Sequence, residues 1–229
     1  MSGLSKPTLV PGDPKSLKVR WIGRIDYLQA LAQQDEQVAR RMGEESCRDL
    51  LLLLEHDPVY TIGRTPDRSS LPEPRTLPHQ LVETNRGGEA TYHGPGQLVG
   101  YPILDLRRHG KDLHALLRWQ ETALITALAG YEVHARRSEG LTGVWVGDRK
   151  IASIGVGVRR WISMHGFALN VRGDLTPFDE IVPCGIEGVR MTSLERELPE
   201  KAPCPTVEEF AATVGTVFEE TLGELEATT

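Results

Sequence analysis

Between Val144 and Val158 the chain reads Val144-Trp145-Val146-Gly147-Asp148-Arg149-Lys150-Ile151-Ala152-Ser153-Ile154-Gly155-Val156-Gly157-Val158. Two runs rich in β-branched and aromatic residues are joined by Gly-Asp, a connection that favours the tight turn of a hairpin. The two strands must therefore pair antiparallel, because a parallel return needs a crossover of about a dozen residues or more. Counting by twos from Lys150 gives Ala152, Ile154, Val156 and Val158. Strict alternation thus puts the lysine on an apolar face and predicts that it is partly desolvated. The plainer alternative is a solvated lysine beside a turn.

Helical and strand patterns alternate around this unit. Asp26 can cap a helix carrying Leu28, Leu31, Ala32, Val38, Ala39 and Met42 on one side, with Gly43 placed to stop it. Leu50 to Leu54 reads as a buried strand, ended by Glu55-His56-Asp57-Pro58. A second helix starts near Asp112, with Leu113, Leu116, Leu117, Leu124, Ile125 and Leu128 facing inward and Gly130 at its end. Thr206-Val207-Glu208-Glu209 is a capping-box signature, followed by the apolar stripe Val207, Phe210, Val214, Val217, Phe218, Leu222 and Leu225. The strands between Gln80 and Val171 come as hairpin-like neighbours. The fold class expected is α/β of the α+β type, a mixed, largely antiparallel sheet flanked by helices. At 229 residues the chain can bury one sizeable core. Residues 1–16 contain Pro7, Pro11, Gly12 and Pro14 and read as a flexible tail, 17–229 as a single catalytic domain, and 206–229 as a helix packed on it.

A net charge of −6 argues against nucleic acid as the main partner. It leaves room for a local basic patch, for which Arg107-Arg108, Arg136-Arg137 and Arg159-Arg160 are the pairs available. No run is long enough to span a membrane. Cys47, Cys184 and Cys204 make three cysteines without a Cys-x-x-Cys spacing. Neither a disulfide framework nor a metal site is expected, and a reducing cytoplasm fits.

Of the three thiols, Cys184 sits in the most telling context, Ile181-Val182-Pro183-Cys184-Gly185-Ile186. Pro183 fixes φ and removes a donor just before the sulfur, and Gly185 removes a side chain that would crowd an incoming acyl carbon. A free cysteine is more often a small buried hydrophobe. An ordinary cysteine, with a pKa of about 8.5, is mostly protonated at neutral pH, so a presented thiol needs an activating neighbour, and Lys150 is the candidate.

The densest glycine run is Asn85-Arg86-Gly87-Gly88-Glu89-Ala90-Thr91-Tyr92-His93-Gly94-Pro95-Gly96-Gln97-Leu98-Val99-Gly100. Gly94, Gly96 and Gly100 nearly mimic a dinucleotide fingerprint, but the last gap is one residue too long and Pro95 interrupts it. No phosphate-binding Gly-x-x-x-x-Gly-Lys run occurs, nor His-Glu-x-x-His. The glycines serve either tight turns between strands or close approach of backbone to a ligand, with Tyr92 and His93 as wall and rim.

Four blocks taken in order closely resemble the bacterial lipoyl(octanoyl) transferases: Arg86-Gly87-Gly88-x-x-Thr91-Tyr92-His93-Gly94-Pro95-Gly96-Gln97, Lys150-Ile151-Ala152-Ser153-Ile154-Gly155, His165-Gly166-Phe167-Ala168-Leu169-Asn170 and Pro183-Cys184-Gly185. The resemblance runs from about the first helix to the segment around Thr192-Ser193-Leu194. It implies the biotin/lipoate protein ligase fold. It implies transfer of octanoyl from octanoyl-acyl carrier protein to a specific lysine on lipoyl domains of 2-oxoacid dehydrogenase complexes or on the glycine cleavage H protein, with no cofactor. Position by position, Cys184 matches the acyl-thioester nucleophile and Lys150 the lysine that activates it. Arg86, Gly87, Gly88, Glu89, Ala90, Thr91, Tyr92 and His93 match one substrate-binding segment, Ser153, Ile154 and Gly155 a second, and Gly166, Phe167 and Ala168 a third.

Thioester exchange followed by amide formation needs no ATP. Lys150 or His93 could take the proton of the acceptor amine, and the amides of Gly185 or Gly155 are candidate oxyanion donors. His165 reads as a structural, hydrogen-bonded histidine. The rival enzyme reading is an ATP-dependent lipoate or biotin protein ligase, which needs no thiol, so Cys184 favours the transferase. The rival outside enzymology is a non-catalytic module that binds acyl chains or lipoyl domains.

Overall fold

Three side chains start the three long helices. In the computed structural model, which describes residues 17–44, 47–71, 76–200 and 202–225, Asp26 accepts from the amides of Leu28 and Gln29 and opens α1 (Tyr27–Gly43). Asp112 does the same for His114 and Ala115 at the head of α2 (Leu113–Ala129). Thr206 and Glu209 form the expected capping box before a helix over Val207–Thr221. Each such cap is worth about 1 kcal/mol, because it satisfies amides that have no partner inside the helix. The tail expected over 1–16 and residues 226–229 lie outside the described residues.

The strands are β1 (Leu17–Ile25), β2 (Asp49–His56), β3 (Val59–Ile62), β4 (Leu81–Glu83), β5 (Thr91–His93), β6 (Gln97–Ile103), β7 (Arg136–Ser138), β8 (Leu141–Val146), β9 (Arg149–Arg159), β10 (Ile162–Asn170) and β11 (Arg190–Met191). A short helix, α3 (Leu194–Glu197), precedes α4, the helix over Val207–Thr221. The main sheet runs β1-β2-β6-β10-β9-β8-β7, with β11 beside β9. Its β1–β2 and β9–β11 pairs are parallel and the others antiparallel. A smaller sheet, β4-β3-β5, carries Thr91 and His93. The mixed, mostly antiparallel architecture is the one expected.

The leucine run of β2 shows how this sheet is held. Leu51 and Leu53 join the core formed with α2 and α4, while Leu50, Leu52 and Leu54 join the core under α1. Successive side chains of a strand point to opposite faces, so a strand covered on both sides must be apolar throughout. Each buried leucine contributes about 2 kcal/mol.

The buried face of α1 overlaps only in part with the one its apolar spacing predicts: Val38 is buried and Leu31 and Met42 pack at its edge. Leu28 is 49% exposed and Ala32 and Ala39 face solvent, whereas Tyr27, Ala30, Gln34, Val38 and Arg41 are buried. Two polar residues hold that stripe because both find partners. Gln34 accepts the amide of His165 at 2.8 Å, and Arg41 donates to the carbonyls of Gln37 and Arg48. In α2, Leu113 is likewise exposed, and Trp119, Gln120 and Glu121 turn inward with Leu116, Leu124 and Leu128. No helix among the described residues is long and apolar enough to cross a membrane.

Candidate active site

Cys184 sits in a one-turn 3₁₀ segment, Pro183–Gly185, with φ 58° and ψ 21°. Gly185 follows at φ 67°. Left-handed backbone costs a non-glycine residue about 1–3 kcal/mol and persists only where the surroundings over-determine it. Here the amide of Cys184 donates to the Ala90 carbonyl at 2.8 Å and that of Gly185 to Val182 at 3.0 Å. A Cβ on Gly185 would fall 2.2 Å from the Glu89 carboxylate, which would have to swing aside, and the positive φ of 67° favours glycine there. The Cys184 Sγ lies 3.4 Å from the hydroxyl of Ser153.

Lys150 is buried, 2% exposed, as its sequence predicts, but not on the predicted row. Trp145 stands opposite Lys150, yet Val144 stands opposite Ala152, so β9 carries one extra residue at this point. Such a bulge reverses the alternation beyond it. Ile151 and Ala152 both pack into the α2–α4 core with Val144, while Lys150 turns to the other face with Trp145, its Nζ 5.5 Å from the indole centre. Its stem crosses Gly143, where a Cβ would come 2.8 Å from Cε.

Arg86, 8% exposed, lines the cavity that holds Cys184 and also braces its own loop against Thr61. Its guanidinium donates to the carbonyls of Gly87, Thr61 and Glu89 and to the Thr61 hydroxyl at 2.8–3.0 Å. Burial lowers its pKa. This brace holds the segment that leads into β5, where side chains alternate. Thr91 and His93 face the cavity beside Cys184, whereas Ala90 and Tyr92 pack with Tyr60 and Phe178 in a separate core and do not line it.

That cavity, about 300 Å³, is also lined by Gly87, Gly88 and Glu89, by Lys150, and by all six residues expected from the second and third segments, Ser153, Ile154, Gly155, Gly166, Phe167 and Ala168. Three glycines make the close approach possible. A side chain on Gly155 would meet the Gly87 carbonyl at 2.8 Å, one on Gly166 the Gly100 carbonyl at 2.3 Å, and one on Gly100 the Phe167 ring at 2.1 Å. The sequence reading missed Tyr27, Tyr101, Leu117 and Leu141 as lining residues. Tyr101 sits at the end of the glycine run and was findable there. Tyr27, hidden in the first turn of α1, carried no such signal.

Burial holds three histidines neutral. Burial pushes His93 down to about 3, and its Nδ1 bonds Gln97 Oε1 at 2.7 Å. His56 and His165 are lowered to about 4 for the same reason. His93 is therefore too weak a base to take a proton from an ammonium, and that expectation is corrected. The expected oxyanion role of the Gly185 amide is corrected too, since that amide is bound to Val182. His165, read as structural, does hydrogen-bond Asn85 Oδ1 at 2.5 Å, but it also lines the cavity.

The family model of the lipoyl protein ligase A/B catalytic domain matches residues 26–219. An octanoyltransferase of Geobacter sulfurreducens is 50% identical over 202 residues, covering 88% of this chain and 83% of the relative. One of Citrifermentans bemidjiense is 52% identical over 193 residues, covering 83% and 91%. The bi-partite lipoate protein ligase of Thermoplasma acidophilum shares the fold, with a TM-score of 0.68 at 18% identity, over 91% of this chain and 84% of that one. With Cys184, Lys150 and the three lining segments gathered on one cavity, the chain belongs to the lipoyl protein ligase A/B catalytic-domain family, on its octanoyltransferase side.

Proposed function

We propose that the protein moves an octanoyl group from octanoyl-acyl carrier protein, through a thioester on Cys184, to a lysine of a lipoyl domain, with Cys184 as nucleophile and Lys150 as its activating cation. The acceptors are lipoyl domains of 2-oxoacid dehydrogenase complexes and the glycine cleavage H protein. The observation that carries this reading is the placement of the Cys184 sulfur against Ser153 in a cavity that also holds the buried Lys150.

In the first half-reaction the Cys184 thiolate attacks the donor's carbonyl carbon, a new S–C bond forms, and the donor thiolate leaves and takes up a proton. In the second, the acceptor amine attacks the same carbon, the N–C bond forms and the Cys184 S–C bond breaks. The acceptor ammonium gives up two protons in all, one returning to the Cys184 sulfur and one passing through Lys150 or water to solvent. Exchange of one thioester for another is nearly isoergic, and formation of the amide draws the sequence forward without ATP. A reducing cytoplasm is the setting proposed for this chemistry, and the three free cysteines support that reading.

Intact mass tests the reading. Mixing with octanoyl-acyl carrier protein should add one octanoyl group at Cys184, discharged by a lipoyl domain and by hydroxylamine. Cys184→Ser should lose nearly all transfer, because a hydroxyl is a far weaker nucleophile. A transferable adduct on Cys47 or Cys204, or acceptor modification by free lipoate and ATP with no adduct, would overturn it.

A further inference from the structure

Both half-reactions place a negative oxygen on the carbon bonded to the Cys184 sulfur, and a donor aimed at that oxygen is commonly the largest single source of rate enhancement in acyl transfer. Two backbone amides at the nucleophile are engaged elsewhere, that of Cys184 with Ala90 and that of Gly185 with Val182. The Ser153 hydroxyl lies against the sulfur itself at 3.4 Å. His165 lines the cavity and has an unpartnered Nδ1, but its Nε2 hydrogen faces Asn85 Oδ1. In a neutral ring that leaves Nδ1 a bare acceptor, unable to donate.

Thr91 remains. It is 6% exposed, lines the cavity, and its Oγ1 is buried with no hydrogen-bond partner among the described residues. Its backbone is joined to the nucleophile by a single hydrogen bond, because the carbonyl that receives the Cys184 amide belongs to the Ala90–Thr91 peptide. The other cavity-facing side chain of β5, His93, is satisfied by Gln97. A buried hydroxyl left unpaired forfeits its hydration without recompense, and such groups call for a specific explanation. The plainer one is a β-branched residue chosen for its strand, its hydroxyl a bystander; valine would serve that purpose without the cost.

We propose that the Thr91 hydroxyl donates the hydrogen bond that stabilises the oxyanion of both tetrahedral intermediates, a catalytic role that rests on the thioester reading above. The hydroxyl moves no proton between molecules; it supplies a dipole, ordered by the β5 backbone before the substrate arrives.

The test compares wild type, Thr91→Val and Thr91→Ser in three measurements: octanoyl adduct formation at Cys184, its discharge to a lipoyl domain, and alkylation of Cys184 by iodoacetamide. Displacement on iodoacetamide uses the same sulfur but develops no oxyanion. Thr91→Val should slow acylation and discharge alike, each on the order of 100-fold to 1000-fold, with KM for the donor little changed. Thr91→Ser should recover to within about tenfold of wild type, because it restores the donor. Alkylation rates should agree within about twofold across all three. If valine destabilises the fold, Thr91→Ala carries the same expectation. Acyl transfer by the valine or alanine variant at the wild-type rate, a serine variant as slow as valine, or alkylation falling in parallel with transfer would each overturn the proposal. Failure of the wild type to form the Cys184 adduct would instead overturn the thioester reading on which it stands.

Discussion

Lys150 and Trp145 face each other across the β8–β9 pair, with the lysine Nζ 5.5 Å from the centre of the indole ring. A cation over an aromatic face gains about 0.5–2 kcal/mol, more when water is excluded, and Lys150 is only 2% exposed. The ring therefore positions the lysine side chain. Lys150→Met should lower octanoyl transfer by about 100-fold or more, the usual contribution of a group that handles protons in the transition state. Trp145→Leu should cost only about 3-fold to 30-fold, the kinetic equivalent of the lost cation–π contact. Turnover measured with an octanoyl thioester and a lipoyl domain checks both. Full activity in Trp145→Leu would show that the ring does not position the lysine.

Gly143 is the surface over which Lys150 runs. A methyl group there would fall 2.6 Å from the Ala152 carbonyl and 2.8 Å from Lys150 Cε, at a φ of 128° that side chains rarely adopt. Its amide is held by the buried carboxylate of Glu121 at 2.9 Å, so the backbone has little room to shift. Gly143→Ala should destabilise the fold by about 1–3 kcal/mol through overpacking and strain, and should reduce transfer below what the folded fraction accounts for. A denaturant midpoint equal to that of wild type would show that β8 yields more readily than its contacts imply.

Local features of this fold were legible in the sequence because their causes are local. The Gly147-Asp148 turn, the caps at Asp26, Asp112 and Thr206, and the five-leucine strand all rest on residues within a few positions of one another. The gathering of Cys184, Lys150, Ser153 and the glycine run on one cavity followed from the resemblance of their four blocks, and the cavity contains them. What was hidden depends on partners far along the chain. The buried face of α1 is chosen by Gln34, which reaches the amide of His165 131 residues away. The face taken by Lys150 is reversed by one extra residue at Ile151, visible only once β8 is laid beside β9. His93 and Gly185 lost their expected roles to burial and to the Val182 carbonyl, neither of which a motif reveals.

Acid should unfold the protein earlier than its carboxylates alone would require. His56, His93 and His165 are lowered by burial to about 4, about 3 and about 4. In the unfolded chain each returns to about 6.5, so the unfolded state binds more protons and stability falls as pH drops below that value. The contribution is fully present above pH 6.5 and is lost progressively toward the folded values, with a limiting slope of about 1.4 kcal/mol per pH unit for each histidine. Chemical denaturation between pH 7 and 5, above the range in which most carboxylates titrate, isolates the effect. His56→Gln or His165→Gln should flatten the dependence. A pH-independent midpoint across that window would mean that these rings take up protons in the native state just as they do in the unfolded chain.

If the donor is an acidic acyl carrier protein, as proposed above, a chain of net charge −6 must meet it through a local basic surface, and the structure narrows the choice. Arg137 is bound to the buried Glu121 and Arg108 to the buried Asp49, so both are occupied in holding the fold. Arg159 makes only a half-exposed pair with Asp35 at 3.3 Å, a contact of the kind worth less than about 1 kcal/mol. Arg160 stands in the β9–β10 turn beside Trp161, which is 40% exposed. A competing surface lies between β1 and the end of α1, where Lys18, Arg20, Arg40 and Arg41 line a cleft of about 410 Å³. If the β9–β10 turn receives the carrier, Arg159→Glu with Arg160→Glu should raise KM for octanoyl-acyl carrier protein on the order of tenfold at low salt. Self-acylation by octanoyl-coenzyme A should change little, and raising the salt should erase the difference as the Debye length shortens. A matching rise produced instead by Lys18→Glu with Arg40→Glu would move the docking surface to the cleft. Equal losses with both donors at the turn would mean that Arg159 and Arg160 support the fold or meet the pantetheine arm that the two donors share.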